Sequence, residues 1–222
     1  MPCSCCLPST DGIDRCFSRE SKKYAKRYDR KGFEKVQTLL LTGLRQQRIE
    51  GTELLEIGFG VGTLHQQLLR DGAARAYGIE AAEGMLSIAT ERATEQGVGD
   101  RVTYRHGDFV RLAPEVPPVD VTLSDKVMCC YPDIEGFLRE SLTRTRRVYA
   151  FVYPRNRWLM RAGFAAFIGV SRLLGWKFRP YWHSHALIEQ RVAEAGFRKS
   201  YDAQSFAWWA TVWVRTDAAQ PV

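Results

Sequence analysis

The sequence predicts an α/β fold: a Rossmann-like seven-stranded sheet, mostly parallel with a C-terminal antiparallel hairpin, covered by helices on both faces. Three observations point there. Short apolar strand-like runs alternate with helix-like runs from residue 52 onward. A glycine-rich turn stands directly between the first such strand and its helix. The last two strand-like runs have no helix between them, as a hairpin requires.

Taken in order, residues 17–50 read as helix, broken near Gly32, with Val36, Leu39, Leu40 and Leu44 spaced for one buried face. "TELLEIG" (52–58) is a buried strand and "TLHQQLLRDG" a helix ended by Gly72. "AARAYGIEA" and "EGMLSIATERATEQG" repeat that pair, closed by Gly97. "RVTYRHGDF" is a third strand, "VDVTLSDKVMCC" a fourth, "IEGFLRESLTRT" a helix and "RRVYAFVYP" a fifth strand. A hydrophobic, basic insert at about 155–182 interrupts the rhythm. "HALIEQRVAEAGF" then resumes it as a helix, with Ser184 as N-cap and Gly196 as terminator. "RKSYDAQSFAWWATVWVRT" supplies the closing hairpin.

The chain divides into an N-terminal cysteine-containing arm with helices (1–50) and one α/β domain (51–222). The net charge of +7 is uneven. Residues 51–143 carry 8 Lys/Arg against 15 Asp/Glu, whereas 144–199 carry 12 against 2. An acidic middle argues against a nucleic-acid binder and for flanks that meet an anionic ligand or membrane surface. No apolar leader and no span of transmembrane length is present, so a cytoplasmic location is expected, with peripheral membrane contact through 155–182 as an addition. In that setting the six cysteines are reduced thiols.

"LLEIGFGVGTLHQQLL" (54–69) carries Gly58, Gly60 and Gly62 behind Glu56. Glycines after a first strand let backbone approach a ligand while the next helix presents its N–H groups. Glu80 ends the second strand about 20 residues on, where a carboxylate can hold ribose hydroxyls. Asp108 ends the third strand, in reach of an exocyclic adenine amine, with Phe109 beside it. This ensemble resembles the class I S-adenosylmethionine-dependent methyltransferases from about residue 50 to the C-terminus. The resemblance implies an enzyme with S-adenosyl-L-methionine as cofactor. It also implies that Glu56, Gly58, Gly60 and Gly62 lie against the methionine and sulfonium, Glu80 on the ribose, and Asp108 with Phe109 around the adenine. An NAD-dependent dehydrogenase is disfavoured by the third glycine, one residue early, and by the lack of a hydride-transfer constellation.

Methyl transfer needs alignment and desolvation of the acceptor more than a fixed acid–base set. The acceptor side is expected beyond strand four, at "SDKVMCCYPD" (124–133), where an Asn-Pro-Pro-Tyr signature for base methylation is missing. Cys130, Tyr131 and His183 are the catalytic candidates, and Tyr24, Tyr28, Cys129 and Trp158 the substrate-binding ones. The C-terminal half, "VYPRNRW", an amphipathic insert, "YWHSHALIEQRVAEAGF" and an aromatic strand pair, resembles the magnesium-protoporphyrin IX O-methyltransferases. It departs from them where Cys130 replaces a His before Tyr-Pro. The expected function is methylation of a small or medium-sized hydrophobic, anionic metabolite, tetrapyrrole-like O-methylation being the nearest analogue. Two alternatives stand beside it. Cys3, Cys5, Cys6, Cys16, Cys129 and Cys130 suit thiol or metalloid (arsenite-like) methylation, although C-x-C-C is no standard zinc pattern and no resident metal is expected. A non-catalytic cofactor-binding membrane or partner scaffold is the other. Neither the accepting atom nor the oligomeric state is encoded in any motif.

Overall fold

The computed structural model describes residues 10–173 and 180–216. Its sheet has seven strands: β1 (Glu53–Ile57), β2 (Arg75–Glu80), β3 (Val102–His106), β4 (Val119–Asp125), β5 (Thr145–Pro154), β6 (Phe197–Gln204) and β7 (Trp208–Arg215). They lie in the order β3-β2-β1-β4-β5-β7-β6. The first five run parallel, and β7 is antiparallel to both β5 and β6. Strand order therefore reverses between β1 and β4, the position at which open α/β sheets leave a crevice beyond their carboxyl ends.

The helices are α1 (Thr10–Lys31), α2 (Lys35–Arg45), α3 (Thr63–Arg70), α4 (Glu83–Glu95), α5 (Phe109–Leu112), α6 (Ile134–Thr143), α7 (Trp158–Leu173) and α8 (His185–Glu194). Two cores flank the sheet. One buries Leu40, Leu41 and Leu44 of α2 with Leu54, Val121, Val148 and Val212. The other buries Phe137 of α6 and Ile188 of α8 with Leu55, Phe151 and Trp209. Each buried Leu, Ile or Phe contributes about 1.5–3 kcal/mol.

Several sequence expectations shift in detail. The first helix starts at Thr10 rather than residue 17, and it is separate from α2. Gly32, at φ +67°, makes the break. The "DF" expected at the end of strand three instead opens α5, because the Asp108 side chain accepts from Arg111 N–H and caps a helix there. Strand four ends at Asp125, and Met128–Cys130 forms a short 3₁₀ turn. The insert is a single helix, α7, up to Leu173; Leu174, Trp176, Lys177, Phe178 and Arg179 fall outside the described residues, as do Cys3, Cys5 and Cys6.

α1 is fastened over the carboxyl edge of the sheet by the start of α4. Ala82, the N-cap of α4, offers no side-chain bond. Asp14 Oδ1 instead accepts from Glu83 N at 2.9 Å and Ser18 Oγ from Gly84 N at 2.8 Å. Free N–H groups of one helix are thus satisfied by side chains of another. At the other end Arg92 pairs with Asp29 at 2.8 Å and covers the Tyr28 ring.

Candidate active site

A cavity of about 480 Å³ lies between α1 and the carboxyl ends of β1, β2 and β4. Its floor is the turn after β1. Gly58, Gly60 and Gly62 have φ of +63°, +56° and +78°, conformations that side chains resist. Gly58 N bonds Ile79 O at 2.7 Å, tying the turn to β2. At the end of β2, Glu80 is buried and uses both oxygens: Oε2 accepts from Gly60 N at 2.7 Å and Oε1 from Ala82 N at 3.0 Å. Burial raises its pKa above the ordinary glutamate value, opposed by the N–H groups of Gly60, Ala82 and Ala81.

Glu56 sits beneath the same turn. Its Oε2 accepts from His65 N at 3.1 Å and lies 2.6 Å from His65 Nδ1, while His65 Nε2 is 2.6 Å from the Tyr104 hydroxyl. Burial again raises the Glu56 pKa, with His65 opposing. This buried relay holds the entrance of α3 against β3. His65 had no place in the sequence reading, because nothing in "TLHQQ" reveals a partner nine residues back.

A second cavity, of about 300 Å³, is lined by Asp108, His106, Arg111 and Asp14 and shares Ala81 and Gly107 with the first. Phe109 lines the main cavity, and its N–H bonds Tyr131 OH at 3.1 Å. The chemistry fits a nucleoside cofactor: a carboxylate at the glycine turn, a second carboxylate one strand along, and open space where a Gly60 Cβ would stand.

Of the acceptor-side candidates, Cys130, Tyr131, Tyr24 and Tyr28 line the main cavity. Cys129 is buried, with Sγ 3.3 Å from Lys126 O. His183 is not among the lining residues; its Nε2 lies 2.8 Å from Tyr131 O, and burial lowers its pKa. Trp158 is 76% exposed on α7, apart from the lining of either cavity. Donation of the Cys130 thiol to Cys129, with burial, raises the Cys130 thiol pKa, so the thiol form dominates.

One group is legible only in part: Asp125 and Lys126 lie in the stretch expected on the acceptor side, but their partners do not. Asp125 and Lys126 at the end of β4, Glu34 and Gln37 of the α2 start, Arg27 of α1 and Trp208 of β7 meet in the cavity wall. Lys126 Nζ bonds Glu34 Oε2 at 2.8 Å, and Gln37 Nε2 bonds Asp125 Oδ2 at 2.7 Å. Arg27 pairs with Glu34, and Lys126 Nζ stands 5.4 Å from the Trp208 ring centre. These partners come from four elements far apart in sequence, so no local spacing betrays them.

Comparison with known proteins agrees with this geometry. Residues 54–147 match the family described as "Methyltransferase domain". The ubiquinone biosynthesis O-methyltransferase of Maricaulis maris (strain MCS10) is 28% identical over 159 residues, covering 71% of this chain and 61% of that protein. The same enzyme of Paramagnetospirillum magneticum is 32% identical over 127 residues, covering 57% and 49%. The chain thus spans between half and three fifths of the length of these relatives. Among solved structures, magnesium protoporphyrin IX methyltransferase from Synechocystis PCC 6803 with bound SAH superposes with a TM-score of 0.69 at 18% identity, over 93% of this chain and 99% of that one. Residues 54–147 thus match a methyltransferase domain, and the fold is one shared with solved methyltransferases.

Proposed function

We propose that the chain transfers a methyl group from S-adenosylmethionine to an oxygen of a small hydrophobic acceptor held beneath α1. The observation that carries this reading is Glu80, whose carboxylate braces the Gly60 turn at the cavity floor while the turn leaves room above it. When bound, the cofactor supplies an electrophilic methyl on a positively charged sulfur. Glu80 then takes the ribose hydroxyls, Asp108 with Phe109 frames the adenine, and Gly58, Gly60, Gly62 and Glu56 lie along the methionine. Phe17, Tyr24, Tyr28 and Tyr131 exclude water from the acceptor side.

Oxygen is favoured over sulfur at the cavity by the Cys130 thiol, which is held protonated. The O-methyltransferase names of the relatives support the same choice. A volume of about 480 Å³, shared with part of the cofactor, suits a single-ring acceptor better than a tetrapyrrole. The cations that line it, Lys23, Arg27 and Lys126, are each paired with Glu20 or Glu34, so an acceptor with several anionic groups finds no free partner. The expected result is cofactor-dependent gain of one methyl mass by at least one hydroxylated aromatic in a metabolite screen. Cofactor binding without turnover on any acceptor would leave the scaffold reading in its place.

α7 supports peripheral contact with an anionic lipid surface. Trp158, Leu159 and Leu173 are 76%, 54% and 88% exposed, flanked by exposed Arg157, Arg161 and Arg172. No helix among the described residues is long and apolar enough to cross a membrane. Cosedimentation with phosphatidylserine vesicles is expected at low salt and should fall several-fold in a Trp158→Ser/Leu173→Ser double variant. No pelleting at low salt contradicts it.

A further inference from the structure

Lys126 has φ +62°, a left-handed backbone that a lysine adopts only at a cost. Such strain persists where the surroundings impose it, and it gathers at functional sites. Here it follows directly on β4 and brings the ammonium into the cavity wall, over Trp208. The residue before it, Asp125, is equally unusual. Its Oδ2 accepts from Gln37 and stands 3.7 Å from Lys126 Nζ, whereas Oδ1 is buried without any hydrogen-bond partner. Unpaired buried carboxylate oxygens are expensive and call for an explanation.

Charge supplies it. Arg27, Lys126, Glu34 and Asp125 sum to zero, so the cluster as it stands offers an anion nothing. Transfer of one proton onto Asp125 leaves the cluster at +1, with Lys126 as its cation nearest that carboxyl. Resting on the reading that an oxygen is methylated in this cavity, we infer that Asp125 and Lys126, which both line it, form an acceptor-ionising pair: the Asp125 carboxylate takes the acceptor's hydroxyl proton and Lys126 holds the resulting oxyanion. The O–H bond breaks as the proton passes to the carboxylate. The oxygen lone pair then forms the C–O bond while the C–S bond of the methyl donor breaks, its electrons remaining on sulfur as the thioether product. The other ionisable groups that face the pair are Glu56 beneath the turn and Tyr24 on α1. Burial already raises the Asp125 pKa, with Lys126 opposing, which suits a carboxylate that must accept a proton.

The test uses para-nitrophenol, whose anion absorbs apart from its neutral form, with the S-adenosylhomocysteine complex of the full chain. The buffer is set about one unit below the probe's free pKa, where about nine in ten free molecules are neutral. The wild type is expected to bind the probe as phenolate. Lys126→Met should bind it neutral and about tenfold more weakly, with homocysteine-nucleoside affinity unchanged. Lys126→Gly should do the same while melting at or above the wild-type temperature, since glycine relieves the strained φ; this separates a catalytic from a structural lysine. Asp125→Asn should release the phenol proton to the buffer, read as a buffer-dependent heat of binding, where the wild type keeps it. A wild type that binds the probe neutral or not at all, or a Lys126→Met that still binds phenolate, overturns the pair. Failure of the wild type to bind S-adenosylhomocysteine would instead strike the functional reading on which the pair rests.

Discussion

Replacing Glu80 with Ala is expected to weaken binding of S-adenosylhomocysteine by a hundredfold or more. The carboxylate is 7% exposed and makes two charge-assisted bonds, to Gly60 N at 2.7 Å and Ala82 N at 3.0 Å. Hydrogen bonds of this kind contribute about 1.5–3 kcal/mol each. Its loss frees the turn and removes the proposed grip on the sugar together, so about 3–4 kcal/mol is at stake. Calorimetric titration measures the effect, and a less than tenfold change contradicts the role. The pH dependence follows from the raised pKa of this acid. The folded state binds the Glu80 proton more tightly than the unfolded chain does. Ionising it therefore costs stability as pH rises from the unfolded value through the folded one, and the cost is complete above the folded value. Ligand binding has the opposite trend. In the proposed complex ribose hydroxyls donate to the carboxylate, so affinity should fall as pH drops through the raised value, at a higher pH than an ordinary glutamate would give.

The second large effect separates two glycines of one turn. Both have positive φ, so alanine at either costs about 1–2 kcal/mol of backbone strain. They differ in surroundings. A Cβ on Gly58 would stand 2.5 Å from Val127 Cγ2, whereas one on Gly60 meets nothing within 4 Å. Gly58→Ala should therefore lose about 3 kcal/mol of stability in urea, strain and overpacking together. Gly60→Ala should remain folded with only the strain cost, yet lose most of its affinity for the nucleoside, because its methyl occupies ligand space. Equal stability losses, or full affinity in Gly60→Ala, would contradict this account of the turn.

The order of elements was legible because local signals agreed with one another. "LLEI" has no polar alternation except Glu56, as expected of a strand covered on both faces, and Ser184 does cap α8. The turn and Glu80 were legible because their spacing along the chain is fixed by one strand–helix–strand unit. What failed was non-local. Residues 10–16 join α1, where Asp14 meets the start of α4 sixty-nine residues away. His183 follows the insert, but its ring is engaged by the Tyr131 carbonyl rather than the cavity. Lys126 was hidden twice: its left-handed backbone has no sequence signature, and Glu34 lies ninety-two residues off. The basic insert is a candidate for meeting an anionic ligand, yet none of its described arginines lines either cavity.

The central claim is that a sulfonium nucleoside lies on the Gly58–Gly62 turn with Glu80 on its sugar. Titration calorimetry of S-adenosylhomocysteine into the wild type, Glu80→Ala and Gly60→Ala tests it most directly. The account predicts one site per chain on the wild type and a loss of at least about tenfold in each folded variant. No heat on the wild type, or equal affinity in all three, would contradict it.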